Sequence, residues 1–178
     1  GLRVVMPSSP QRAYGLLLAS IRDPDPVVFL EPTRLYRAAR GDVLDDGAGL
    51  PLERCMLLRP GRDLTLVSWG AMIKETLAAA EQLAAESVEA EVVDVATLKP
   101  LDDATIMASV ARTGRLVVVH EAPVTCGYGA EIAARVAERV GAAATAPRSR
   151  AQQVDRAFRE ASRQTSMLFE RTDLQTNA

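Results

Sequence analysis

Two stretches of the chain have residue types and spacings that could do chemistry. The first is "VVVHEAPVTCGYGAEIAARV", residues 117–136, where His120, the single histidine, stands beside Glu121 and six residues before Cys126. A cysteine and an imidazole brought together across a loop can form a thiolate and its base. No third group that would orient the imidazole is evident, and a cysteine near a helix start is more often just a small loop residue. Gly127-Tyr128-Gly129 then poses a phosphate-cradle question. A dinucleotide cradle needs G-x-G-x-x-G tight behind a strand. Here Ile132 stands where the third glycine belongs, and Glu131 would repel a pyrophosphate from the first helical turn. The glycines read better as permitting a tight loop and close helix packing. His120 and Glu121 follow a strand at its carboxyl end, where open α/β sheets put functional loops. For a lone histidine, a packing or interface role outweighs catalysis.

The second stretch is "SIRDPDP", residues 20–26. The last carbonyls of a helix lack helical partners and carry partial negative charge. Asp23 and Asp25 add oxygens there, so the turn could hold a hard cation through backbone and carboxylate oxygens. The competing reading is a proline-stopped helix with solvated aspartates.

These groups must be positioned by regular elements, and the composition allows them. The chain has 178 residues, enough for one full domain and part of another; 48% are hydrophobic and only 4% aromatic, so Ala, Val and Leu must fill the core. Basic and acidic residues are interleaved around a net charge of −2, which argues against a nucleic-acid surface. Cys55 and Cys126 form no C-x-x-C and fit a reducing compartment. No run of 18 apolar residues predicts a membrane span. The opening "GLRVVMP" runs straight into a strand pattern without Met, which predicts a start cut away together with any targeting segment.

A strand over 2–7, a helix over 8–22 and a strand over 27–32 make a strand–helix–strand unit with parallel pairing. Ser8 or Ser9 caps the helix, Pro10 suits its first turn, and Tyr14, Leu17, Leu18 and Ile21 form its apolar stripe. Both strands read as buried. Residues 33–63 read as a linker wrapped on the surface, with one short strand around Cys55–Leu58. Strand–helix then repeats three times. The strands are 64–69, 90–95 and 115–120; the helices are 71–86, 102–114 and 129–140. Asp102 or Asp103 starts the middle helix and Gly114 stops it. This is an α/β chain with an open, doubly wound parallel sheet. The tail, 141–178, offers no further strand. Val154, Phe158, Ala161, Thr165 and Leu168 fall at helical spacing there.

Four quoted stretches carry a resemblance. They are "GLRVVMPSSPQRAYGLLLASIRDPDPVVFLEPTRLYR", "DLTLVSWGAMIKETLAAAEQL", "AEVVDVATLKPLD" and "TGRLVVVHEAPVTCGYGAEIA". In order and without gaps to about residue 140, they resemble the beta subunit of thiamine diphosphate-dependent 2-oxo acid dehydrogenases. "FLEPTRLYR" and "HEAPVT" favour the branched-chain type over the pyruvate type. The resemblance implies that 1–32 is the end of a pyrimidine-binding domain, 33–63 a linker, 64–140 a transketolase C-terminal-like domain and 141–178 a divergent tail.

The family's enzyme is an α2β2 heterotetramer that decarboxylates a branched-chain 2-oxo acid and acylates the lipoyl group of an acyltransferase. The resemblance therefore implies an alpha subunit, a second beta subunit and that acyltransferase as partners. Thiamine diphosphate and magnesium are implied for the whole enzyme and not for this chain alone, because the family's cofactor-activating glutamate and catalytic histidine lie upstream of Gly1. It implies a potassium ion at the positions of Ser20, Asp23 and Asp25. Cys126-Gly127 stand where the family has two glycines, so the His120 loop is a strand-to-helix connection; no catalytic or cofactor-binding residue is expected here. The compartment implied is the bacterial cytoplasm, or the mitochondrial matrix in a eukaryote. Two other readings stay open: a non-catalytic dimerisation module with a transketolase-type domain, and a pyruvate dehydrogenase beta subunit.

Overall fold

The computed structural model describes residues 1–38, 40–123, 125–140 and 168–172. The chain opens with β1 (Arg3–Val5), α1 (Pro10–Arg22) and β2 (Val27–Phe29). Local chemistry sets these bounds. Ser9 caps α1 by accepting a hydrogen bond from the Arg12 amide at 3.3 Å, Pro10 sits in the first turn, and Pro24 and Pro26 follow the end. β1 and β2 pair in parallel, as expected. A strand absent from the sequence reading, β6 (Thr97–Lys99), adds to β1 antiparallel and makes a three-stranded sheet of order β2-β1-β6.

Two expectations for this unit are corrected. β2 is not a fully buried strand: it is the sheet edge, and Val28 is exposed. The stripe of Tyr14, Leu17, Leu18 and Ile21 does not face a core either. Gly15 and Leu16 are the buried residues of α1, while Leu17 and Ile21 are exposed. The sheet lies on the other side of the helix. Leu16 joins Val5, Leu52 and Ala96 in a small core, with Leu50, Met56 and Phe29 packed against it. Leu50 and Leu52 thus turn part of the expected surface linker inward. That linker also holds a short helix, α2 (Leu35–Ala38), and a strand near the expected place, β3 (Met56–Arg59).

The larger sheet has the order β3-β5-β4-β7-β8. Its centre is β4 (Leu64–Ser68), flanked in parallel by β5 (Ala90–Asp94) and β7 (Leu116–His120). All three are buried along their whole length. That is why they read as mostly apolar and not alternating, although β4 carries Thr65 and Ser68 and β5 carries Glu91 and Asp94. A 3₁₀ turn at Gly70–Met72 leads into α3 (Ile73–Ala85), which covers one face through Met72, Ala79, Ala80 and Leu83. α4 (Asp103–Thr113) and α5 (Tyr128–Val140) cover the other through Ile106, Val110, Ile132 and Val136. Helices on both faces make the sheet doubly wound. Asp102 caps α4 by accepting from the Thr105 amide, and Gly114 ends it in the left-handed conformation that glycine favours.

The sheet is parallel at its centre and antiparallel at both edges. β3 runs against β5, and β8 (Leu168–Thr172) runs against β7. β8 supplies the next sheet member that the sequence reading did not find. It also overturns the end of the expected tail helix, since Leu168 opens a strand. Pairing with β7 satisfies a row of backbone groups that an open edge would leave to solvent. Val154, Phe158, Ala161 and Thr165 lie outside the described residues.

Candidate functional site

β4 and β7 are neighbours, and the chain leaves β4 toward β5 on the other side. The carboxyl ends of β4 and β7 therefore flank the point where the winding reverses, where doubly wound sheets hold their sites. Trp69 follows β4 and His120 ends β7. Their rings stack, with centroids 5.3 Å apart and planes at 12°. Tyr128, at the start of α5, meets the Trp69 ring edge-on at 5.8 Å and donates its hydroxyl to the Leu98 carbonyl. Its partial burial raises the phenol pKa. Below the rings, Ser68 Oγ donates to the Val119 carbonyl at 2.9 Å and ties the two strands together.

His120 is only 1% exposed. Its Nδ1 accepts from the Ala122 amide at 3.2 Å, which in the neutral ring leaves the proton on Nε2. Of the packing and interface roles that the sequence left open, the structure supports packing: the imidazole is covered by its own chain. Cys126 is exposed, so the structure does not bring thiol and imidazole together in one enclosed pocket. Cys55, the other cysteine, has its thiol pKa pushed up by burial.

The loop glycine is explained by close packing. A Cβ on Gly127 would fall 2.1 Å from the Pro123 carbonyl oxygen and 2.9 Å from His120 Cε1. The loop closes onto the imidazole and leaves no cradle for a phosphate. Glu131 faces Arg135 at 2.7 Å, and Arg135 and Arg139 reach Asp103 to pin α5 to α4.

Glu121 follows His120 and is exposed. Arg34, from the segment before α2, bonds Glu75 on α3 and lies 3.7 Å from Glu121. Its guanidinium also contacts Met72 Sδ at 3.8 Å. The site is an aromatic stack, with the ion-paired Arg34 beside Glu121, the residue after His120. It carries no group set for nucleophilic attack and, among the described residues, no cluster of three or more His, Cys, Asp or Glu that could hold a metal ion.

Sequence reasoning missed Trp69, Tyr128 and Arg34. A signal for Trp69 existed: "LVSW" and "VVVH" both end apolar strands in a ring-bearing residue. Also missed was a buried link between the sheets. Asp94, at the end of β5 and wholly buried, accepts from Ser8 Oγ and from the Ala96 amide at 3.1 Å, with Arg12 Nε 3.8 Å away. Burial outweighs these partners and raises its pKa to about 6.

Ser20, Asp23 and Asp25 are gathered at one helix end, as expected, but their side chains are engaged. Ser20 Oγ donates to the Leu16 carbonyl at 2.7 Å. Asp23 Oδ1 accepts from Arg3 Nε at 3.1 Å and from the Asp25 amide at 2.9 Å, and Asp25 Oδ2 lies 3.5 Å from Arg3 Nη2. A guanidinium already occupies the place between the carboxylates, so these residues do not fit a potassium ion through their side chains.

Residues 53–176 match the family of the C-terminal domain of transketolase. The chain is 48% identical over 158 residues to the mitochondrial 2-oxoisovalerate dehydrogenase subunit beta 2 of Arabidopsis thaliana, covering 89% of this chain and 44% of that protein. It is 45% identical over 150 residues to the pyruvate dehydrogenase E1 component subunit beta of Staphylococcus epidermidis, covering 84% and 46%. The same subunit of Bacillus subtilis is 43% identical over 158 residues, covering 89% and 49%. The chain thus spans about half the length of the curated relatives it matches. Among solved structures it resembles a split-gene transketolase, an inactive beta4 tetramer, with a TM-score of 0.65 and 25% identity over 90% of this chain and 57% of that one.

Proposed function

The chain belongs to the transketolase C-terminal domain family, and we propose that it forms part of the beta subunit of a thiamine diphosphate-dependent 2-oxo acid dehydrogenase. The observation that carries this is the 43–48% identity to such subunits over 150–158 residues. An alignment of 158 residues is longer than the 53–176 span, so it must reach back into the three-stranded sheet.

Branched-chain 2-oxo acids are the proposed substrates. The support is local: "FLEPTRLYR" and "HEAPVT" resemble the branched-chain type, and one close relative is a 2-oxoisovalerate dehydrogenase subunit. Pyruvate is the alternative, favoured by the relatives named as pyruvate dehydrogenase subunits.

When bound, thiamine diphosphate supplies the carbanion chemistry. The Gly127 loop offers no diphosphate cradle, because it is filled by Pro123 and His120. We assign the cofactor and its magnesium to the rest of the enzyme, an α2β2 assembly of alpha and beta subunits that passes the acyl group to a lipoyl acyltransferase. This chain's role in it is structural: it presents a rigid doubly wound sheet next to the catalytic parts. No helix among the described residues is long and apolar enough to cross a membrane. The plant mitochondrial and bacterial relatives support a matrix or cytoplasmic location.

The test uses the gene product that contains this chain, expressed with its alpha partner. With thiamine diphosphate and magnesium it should decarboxylate 2-oxoisovalerate faster than pyruvate. The reverse order would assign it to the pyruvate type. No thiamine-dependent decarboxylation of either acid would remove the enzyme reading and favour a non-catalytic assembly module.

A further inference from the structure

Negative charge is concentrated at the carboxyl end of α1. Asp23 and Asp25 stand just beyond a helix terminus that is itself partially negative, and Glu53 comes in from the segment before β3. Such a cluster needs a cation. We propose that the Arg3 guanidinium is that cation, built into the chain, and that this end of α1 takes no potassium or other alkali ion.

Three nitrogens of one guanidinium reach three carboxylates: Nε to Asp23 at 3.1 Å, Nη2 to Asp25 at 3.5 Å and Nη1 to Glu53 at 2.9 Å. A planar fork with five N–H donors suits this divided demand better than a compact ion. The Arg3 and Asp23 side chains are 17% and 15% exposed, so the pair is inserted between elements and not spread on the surface.

Backbone register delivers the arginine. Arg3 lies opposite Val27 in the β1–β2 ladder, and its amide donates to the Pro26 carbonyl at 3.0 Å. Arg3 is thus held beside the 23–26 turn whenever β1 pairs with β2. Any alkali ion that reached Asp23 would sit next to a fixed positive charge. It would also compete with two donors on Oδ1, the Arg3 Nε and the Asp25 amide. Ser20 Oγ is tied back to its own helix, donating to the Leu16 carbonyl. This inference is independent of the substrate proposed above, because it concerns only charges within this chain.

Thermal unfolding of the gene product that contains this chain, in equal concentrations of potassium, sodium or choline chloride, tests it. Arg3→Met and Arg3→Lys are the variants. The wild-type midpoints should agree across the three salts. Arg3→Met should unfold several degrees lower in choline, about the shift that loss of a partly buried ion pair brings. It should recover much of that loss in potassium. Arg3→Lys, which keeps the charge, should stay indifferent to the salt.

A potassium-specific rise of the wild-type midpoint overturns the proposal, and that arm decides even if Arg3→Met does not fold. Arg3→Met with the wild-type midpoint in choline overturns it too. So does an Arg3→Met that loses stability and gains nothing from potassium, since Arg3 would then be an ordinary ion pair and no stand-in for an ion.

Discussion

The His120 imidazole lies nearly flat on the Trp69 indole, with centroids 5.3 Å apart and planes 12° from parallel. The two residues are 51 positions apart in the chain and meet because β4 and β7 are paired neighbours in register. The ring is buried, held by the Ala122 amide and capped by the Gly127 loop. It acts as a packing element at the place where this fold usually binds ligands.

His120→Ala removes the stack and leaves a hole beneath the loop. It should destabilise the chain by about 2–4 kcal/mol, the sum of an aromatic contact and a cavity. Urea unfolding measures this. Turnover per assembled enzyme should change little. A drop of about a thousandfold with assembly intact, roughly 4 kcal/mol of transition-state stabilisation, would make His120 catalytic and contradict this reading.

Adjacent positions in the same loop should respond with opposite sign. Gly127→Ala drives a methyl into the Pro123 carbonyl and the His120 ring, and should cost about 1–3 kcal/mol. Cys126 has a φ of +62°, which a side-chain-bearing residue holds at a cost. Cys126→Gly should therefore gain up to about 1 kcal/mol, after the greater freedom of glycine in the unfolded chain is offset. Denaturant midpoints of the two variants settle the matter; a stabilised Gly127→Ala would refute the close-packing account.

Asp94 should make stability fall as pH rises. Burial lifts its folded-state pKa to about 6, above an unfolded value of about 3.9. Folding therefore favours the protonated carboxyl. The stability this brings is fully present below about pH 4 and is lost as pH rises through about 6, for about 3 kcal/mol in all. Asp94→Asn can still accept from the Ala96 amide and pair with Ser8 Oγ, and it cannot ionise. The difference in unfolding free energy between wild type and Asp94→Asn should shift toward the variant between pH 4 and pH 7. A difference that is flat with pH would mean that Asp94 is not titrating in that range.

Hydrogen exchange tests the proposed division between residues 1–32 and the domain that begins at residue 64. β4 is buried throughout and paired on both sides, so amides 65–68 should exchange slowly. β2 is a three-residue edge strand with Val28 exposed, so amides 27–29 should exchange fast. Equal protection of the two would argue for one cooperative unit held together by Asp94 and the Leu16–Leu52 core.

What the sequence determined by itself was local. Ser9 with Pro10, Asp102 with its capped Thr105 amide, and Gly114 in the left-handed region mark helix ends because capping involves residues a few positions apart. The central strands were legible because burial on both faces leaves a mostly apolar run. Asp23 and Asp25 were legible as a pair because one turn holds them. Tertiary structure alone decided the rest. Strand order depends on pairing between distant segments, so neither the crossing of β6 to the smaller sheet nor the return of β8 onto β7 leaves a local pattern. Partners were hidden for the same reason. Arg3 meets Asp23 only once β1 pairs with β2, Ser8 meets Asp94 only once the sheets dock, and Trp69 meets His120 only once β4 lies beside β7. Each of these contacts joins residues at least 20 positions apart, a separation across which periodicity and propensity carry no information about who touches whom.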